Sequence, residues 1–466
     1  MQLPKDRLVT TLFCLHYLGG SATEWVHVAE RLGPRFRVVA LDLPGFGDAS
    51  GVPGYSVAQM AETISRNISD EAPERWMLAG HSMGAKVAAA IARRAEDGER
   101  PLGGLAGIVV IAGSPPSPEP MKEADREMML GWFSDGMQSS RAEAEKYISQ
   151  NGGPNLHPDS AAAAVADVLR MNRAAWISWL EDGSREDWSD RIGVLNTPAL
   201  VISGADDENL GPEAQRRLML PHFANARSAT LDASKHLLPL ERSSEVARLI
   251  DEHEMAVGYR ALVASPRVSR GTREALDARA KPDDPDDDST TLGTKALGTL
   301  RAVLDCVIPQ RDAVAIDLAA RIDRQLALAT GDGWRFADLP GDREAYRMAL
   351  ETLDAESNAR HGCDFAALDA DRRASMLTDI CDARFEMTAG EESPANWLDA
   401  AQMRLWFEDA RADAVKLYVA HPDTLARLGY SGIANGGDGM PKSGFARIGV
   451  GEREAWEPSA FSDSTK

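Results

Sequence analysis

Ser82 stands in Gly80-His81-Ser82-Met83-Gly84, a G-x-S-x-G pattern. A serine hydroxyl is a weak nucleophile at neutral pH and attacks a carbonyl carbon only when a neighbouring base takes its proton. The pattern follows a short apolar run at 76–79 and precedes an Ala-rich amphipathic run at 86–94, so it reads as strand, tight turn and helix. Such a turn has no room for side chains two residues either side of the serine, which accounts for Gly80 and Gly84, and it lifts the hydroxyl above the sheet edge. The helix opening at Met83 aims unpaired amides at the place where negative charge would develop.

In a strand-turn-helix site of this kind the order along the chain is nucleophile, acid, base: the acid follows a later strand and the histidine follows the last one. Of the nine histidines, His222, His236, His253, His361 and His421 come after Asp207. Only His236 falls in the loop between the last strand and the closing helix, so it is the expected base. Asp207, after the strand at 199–203, is the expected acid that holds the imidazole in its working tautomer; Asp206 is the alternative. The expected oxyanion donors are the backbone amides of Met83 and, from the loop after the first strand, Leu18. His16 and His81 lie outside the base position and read as structural hydrogen-bonders.

The elements that must position these residues are strands alternating with helices. Strand-like runs at 8–15, 37–41, 76–79, 108–111 and 199–203, and a last short one near 228–231, are separated by helical patterns, which predicts a parallel sheet with helices on both faces and a ligand site at the carboxyl ends of the strands. The alternation breaks at 118–188, where only helical patterning occurs. That stretch is expected to form a lid, with Trp132, Trp176 and Trp179 either roofing the pocket or merely packing the insertion onto the core.

At 466 residues the chain exceeds a single core. The expected division is a first α/β domain at 1–260, a linker at 261–291 carrying the proline-broken acidic run 281–288, and an all-α domain at 292–466. A Gly-rich, aromatic tail from Gly429 to Trp456 is expected to wrap a surface. A net charge of −21 argues against nucleic acid or an anionic membrane as partner. Cys14, Cys306, Cys363 and Cys381 show no metal or haem spacing and suit a reduced, cytoplasmic chain. No basic, apolar and cleavable leader opens the sequence, and no stretch reaches the roughly 18 apolar residues of a membrane span.

The turn His16-x-x-Gly19-Gly20, Asp42-x-Pro44-Gly45-x-Gly47, the Ser82 turn, Gly204-x-x-Asp207 and His236 resemble, in that order, the α/β-hydrolase family over 8–251. The resemblance implies a serine hydrolase acting on ester, thioester or lactone bonds through an acyl-enzyme, with carbon–carbon hydrolysis also open. Tyr17 replaces the glycine usual after the first histidine. The second domain resembles the gluconate 2-dehydrogenase subunit 3 family over 292–457, through Leu300-x-x-Val303-x-Asp305-x-Val307-Ile308-Pro309, Gly362-x-x-Phe365-x-x-Leu368, Tyr418-x-x-His421-Pro422 and Leu428-Gly429-Tyr430-Ser431-Gly432. That likeness implies an accessory subunit of a flavin-dependent glucose-methanol-choline-type oxidoreductase, with FAD on the partner and no cofactor in this chain. Members of that family usually carry a twin-arginine export signal, whereas here the hydrolase domain stands first, so a cytoplasmic chain is the expectation and export attached to a signal-bearing partner the alternative. A non-catalytic accessory or binding subunit is the alternative reading of the whole.

Overall fold

Residues on alternate sides of each central strand enter different cores, because strand side chains alternate in direction. Phe13 and Leu15, Leu78, Ile108 and Val110, and Val201 fill one face; Leu12 and Cys14, Met77 and Ala79, Val109 and Ile111, and Ile202 fill the other. Apolar side chains on both faces make these runs buried strands of a parallel sheet rather than half-exposed ones. The computed structural model describes residues 9–134, 136–281, 291–310, 316–330, 335–387, 397–434 and 436–438. Its described residues form two units, the first ending at Ser265 and the second beginning at Pro266.

In the first unit β1 (Thr10–Leu15), α1 (Val26–Leu32), β2 (Phe36–Leu41), α2 (Val57–Glu71), β3 (Trp76–His81), α3 (Met83–Glu96) and β4 (Leu105–Ile111) alternate. The inserted helices follow: α4 (Glu123–Leu130), α5 (Gly136–Asn151), α6 (Pro158–Arg170), α7 (Arg173–Ser178) and α8 (Ser189–Ile192). Then come β5 (Ala199–Gly204), the short α9 (Pro212–Ala214), β6 (Ala226–Leu231), α10 (Leu238–Glu241) and α11 (Ser243–Ala264). The strands lie in the order β2-β1-β3-β4-β5-β6, all parallel. The direction of winding reverses between β1 and β3, and the carboxyl ends of strands at such a switch open a crevice. Ser82 follows β3 and Leu18 follows β1, so both stand at that crevice.

The second unit is helical: α12 (Arg270–Ala280), α13 (Thr294–Val307), α14 (Leu318–Leu328), α15 (Asp342–His361), α16 (Ala370–Cys381), α17 (Ala400–Ala420) and α18 (Pro422–Arg427). Leu300, Val303, Leu350, Leu353, Phe365, Ile380 and Trp406 share its core. The span 261–291, expected as linker, is partly helical. α11 continues to Ala264, and α12 starts where the Ser269 side chain accepts from the Thr272 amide and buries Leu276. α12 has a single buried residue on an otherwise polar surface, which is too weak a periodicity to read as a helix from sequence. Most of the acidic run, 282–290, and the Gly-rich tail from 439 onward lie outside the described residues.

Candidate active site

The turn at Ser82 is strained by design of its neighbours. Ser82 has φ 50° and ψ −116°, a left-handed conformation that costs a residue with a Cβ on the order of 1–3 kcal/mol. A Cβ on Gly80 would meet the Gly84 carbonyl at 2.5 Å, and one on Gly84 would meet the Leu15 carbonyl at 2.7 Å. The Ser82 amide donates to the Ile111 carbonyl at 2.9 Å, and the Ser82 carbonyl accepts from Ala85 at 2.9 Å and Ser114 at 3.0 Å. Strand β4 and helix α3 together therefore hold the turn.

The hydroxyl of Ser82 lies 2.9 Å from Nε2 of His236, and Nδ1 of His236 lies 2.7 Å from Oδ2 of Asp207. A carboxylate only accepts, so Nδ1 carries the proton and Nε2 is free to receive one from Ser82. Asp207 Oδ1 accepts from the amides of Asn209 and Leu210, each at 3.0 Å. Burial tends to raise the Asp207 pKa, but the neighbouring His236 and these hydrogen bonds outweigh it and hold the carboxyl below its usual range. Burial likewise works against a charged His236, yet Asp207 beside it outweighs this and raises its pKa above the ordinary histidine value. Asp206, the alternative acid, is exposed, and its amide donates to the Ser234 carbonyl at 2.9 Å; His236 pairs with Asp207.

The loop that carries His236 is clamped from three directions. Its own amide donates to the Asn151 carbonyl at 3.0 Å, and Glu241 accepts from the amides of Lys235 at 3.2 Å and Leu237 at 3.1 Å. Its carbonyl accepts from His81 Nε2 at 2.8 Å, and His81 Nδ1 lies 3.0 Å from Glu24 Oε1. His16 donates from Nδ1 to the Tyr17 carbonyl at 2.7 Å and accepts from the Leu43 amide at 3.0 Å, tying the loop after β1 to the loop after β2.

Leu18 and Ser82 both line a cavity of about 360 Å³. Met83 is the first residue of α3, where amides lack partners within the helix. The Leu18 carbonyl accepts from the Tyr147 hydroxyl at 3.0 Å, which fixes the loop to α5. Of the three tryptophans expected at the pocket, Trp179 lines the cavity and Trp132 and Trp176 do not. Those two stack on each other 6.3 Å apart, with Tyr147 and Phe133 edge-on to Trp176, and the Trp176 indole donates to the Met129 carbonyl at 3.0 Å. They hold the inserted helices together because an aromatic pair gains more against another aromatic than against a wet cavity.

Beneath Trp179, the fully buried Lys86 spends its three donors on the carbonyls of Ser117, Gly183 and Glu186 at 3.1–3.2 Å. Burial pulls its pKa down to about 8. Lys86, Glu24, Glu241 and the cavity-lining Glu119 were invisible as site residues in the sequence, since each is a lone charge in an ordinary helix or loop. The one available signal was Lys86 in an otherwise apolar run of α3. Among the described residues no cluster of His, Cys, Asp and Glu could hold a metal ion, and no helix is long and apolar enough to cross a membrane.

Residues 12–249 match the model of the alpha/beta hydrolase family, and residues 295–437 match that of gluconate 2-dehydrogenase subunit 3. A 2-succinyl-6-hydroxy-2,4-cyclohexadiene-1-carboxylate synthase of Serratia proteamaculans is 28% identical over 212 residues, 42% of this chain and 76% of that protein. A pimeloyl-[acyl-carrier protein] methyl ester esterase of Yersinia enterocolitica is 33% identical over 231 residues, 48% of this chain and 85% of that protein. Among solved structures, the enol-lactonase of Burkholderia xenovorans LB400 superposes with a TM-score of 0.46 at 20% identity, over 54% of this chain and 93% of that one. With a family match over half its length, an all-parallel sheet and a serine turn at the switch point, the chain belongs to the alpha/beta hydrolase family and carries a gluconate 2-dehydrogenase subunit 3 domain behind its hydrolase domain.

Proposed function

We propose that the first unit is a serine hydrolase of ester, thioester or lactone bonds that works through an acyl-enzyme. The observation that carries this reading is the Ser82–His236–Asp207 relay, 2.9 and 2.7 Å long, on a strained turn at the floor of a cavity. In the first step Ser82 Oγ bonds to the carbonyl carbon while its proton passes to His236 Nε2, and Asp207 stabilises the imidazolium. The oxyanion is held by the amides of Met83 and Leu18. The C–O or C–S bond to the leaving group then breaks, and His236 returns the proton to that group. Water, deprotonated by the same Nε2, releases the acid and restores Ser82. The esterase named among the relatives is consistent with this chemistry. Steady-state hydrolysis of short-chain p-nitrophenyl esters tests it: the wild type turns over, and Ser82→Ala falls to the level of buffer.

The second unit is read as an accessory module that binds a flavin-dependent glucose-methanol-choline-type oxidoreductase, the FAD being the partner's. The match of residues 295–437 to the subunit 3 model supports this. Purifying the native protein from its own cells and scanning for flavin absorbance tests it. A flavoprotein retained at fixed stoichiometry supports the reading; a flavin-free protein from cells that express the dehydrogenase contradicts it.

A further inference from the structure

Behind the proposed base lies a second hydrogen-bonded chain that the hydrolytic steps do not use. Glu24 Oε1 meets His81 Nδ1 at 3.0 Å, and His81 Nε2 meets the carbonyl of His236 at 2.8 Å. The side chains of His81 and Glu24 are 0% and 2% exposed. The second carboxyl oxygen, Oε2, accepts from the Tyr17 amide at 3.3 Å. The His81 ring packs between the rings of Tyr17 and His236, with centroids 5.3 and 5.2 Å away.

These contacts assign the protons. A carbonyl oxygen can only accept, so His81 Nε2 must carry a hydrogen. If His81 is neutral its Nδ1 is then a bare lone pair, and the group facing it must donate. Glu24 can do so only as a carboxylic acid, with the hydrogen on Oε1 and the bare Oε2 left to accept from Tyr17. The alternative, an imidazolium against a carboxylate, would place two charges on side chains that are 0% and 2% exposed, where desolvation of each ion is costly. Burial raises the Glu24 pKa to about 8 and lowers that of His81 to about 3, which agrees with the neutral pair.

We propose that protonated Glu24 and neutral His81 form a positioning dyad that holds the His236 loop in register with Ser82, and that loss of the Glu24 proton disarms the site. This rests on the reading of Ser82 and His236 as nucleophile and base. Removing one proton from the dyad leaves a single hydrogen for two contacts. The carboxylate draws it to Nδ1, and the bare Nε2 then turns a lone pair toward the His236 carbonyl, so the contact that supports the base becomes repulsive. The groups facing Glu24 are Cys14, His16 and Tyr17 from β1 and the turn after it, Asp167 from α6, Tyr147 from α5 and His236; those facing His81 are Tyr17, His236, Asp207 and Glu241. His16 and His236 favour the ionised Glu24 and Asp167 opposes it, but burial outweighs them.

Glu24→Gln is the discriminating variant, because an amide reproduces the protonated acid at every pH: its NH₂ donates to Nδ1 and its oxygen accepts from Tyr17. Hydrolysis of a neutral ester, followed in a pH-stat, is expected to show an alkaline fall centred near the Glu24 pKa of about 8 in the wild type, with a loss on the order of tenfold as the base goes out of line. Glu24→Gln is expected to keep its neutral-pH rate and lose that fall, while Glu24→Ala is slow at every pH. The ¹⁵N spectra of the histidine rings read the same protons whether or not an ester is turned over. They are expected to show His81 with hydrogen on Nε2 alone at neutral pH, changing on the alkaline side in the wild type and not in Glu24→Gln. A wild-type alkaline fall retained in Glu24→Gln, or a His81 imidazolium at neutral pH, overturns the dyad. Spectra as expected from a chain that hydrolyses no ester overturn the hydrolase reading and leave the proton assignment standing.

Discussion

Asp207 Oδ2 sits 2.7 Å from His236 Nδ1, while the adjacent Asp206 carboxylate makes no bond to that ring and stands exposed at the cavity mouth. The two neighbouring carboxylates should therefore differ sharply in consequence. Asp207→Asn places a donor against Nδ1 and selects the wrong tautomer, so kcat is expected to fall by on the order of 10⁴ with the fold retained. Asp206→Asn is expected to change kcat for a neutral ester little. Equal losses from the two variants would show that the pairing does not orient the base.

The acid side of the pH profile belongs to His236. Burial opposes its charged form, but Asp207 outweighs burial and raises the pKa above the ordinary 6.5. Only neutral His236 can accept the Ser82 proton, so activity is lost as pH falls through the raised value. The midpoint of kcat/KM on the acid side is expected above 6.5 in the wild type. In Asp207→Asn the residual activity should titrate lower, because the raising charge is gone; a midpoint that does not move would sink the assignment.

How much of this was legible beforehand depended on how local each signal was. The central strands could be read because apolar residues fill both faces of each, as Leu12 and Phe13 do on opposite sides of β1, while the edge strand β6 buries only Ala229 and Leu231, on one face. The proximity of Ser82, Asp207 and His236 was legible because all three sit at strand ends, and a parallel sheet gathers strand ends on one edge. Glu24 was not, because its role depends on a histidine 57 positions away that only folding brings within 3.0 Å. The direction in which Trp132 and Trp176 point was equally hidden, since helical spacing separates apolar faces from polar ones but not one apolar neighbour from another.

Strain at the nucleophile separates stability from activity. Ser82→Ala keeps the Cβ in the left-handed turn, whereas Ser82→Gly removes it at φ 50°. Both variants are expected to be inactive, yet Ser82→Gly should be the more stable by roughly 1 kcal/mol after the entropy cost of glycine in the unfolded chain. Thermal melts of the two variants check this. A glycine variant that melts below the alanine one would mean the turn stores no strain.

Charge at the cavity mouth should select substrates. Asp125, Asp206 and Glu208 are exposed lining residues, and Lys235 is the one cation among the residues that line the cavity. At low ionic strength a cationic ester is expected to exceed its anionic counterpart in kcat/KM by on the order of tenfold, with the ratio collapsing as salt is added. The double variant Asp125→Asn, Glu208→Gln should narrow that ratio. A preference for the anionic ester would place the substrate's charged end elsewhere.

The central claim, that Ser82 is a nucleophile activated by His236, is tested most directly by labelling the folded full-length protein with a fluorophosphonate and mapping the modified peptide by mass spectrometry. The phosphorus–fluorine bond breaks only under attack by an activated oxygen, so one adduct on Ser82 is expected. It should be absent in Ser82→Ala and formed far more slowly in His236→Ala. A folded wild-type chain that gains no adduct at Ser82 would contradict the account.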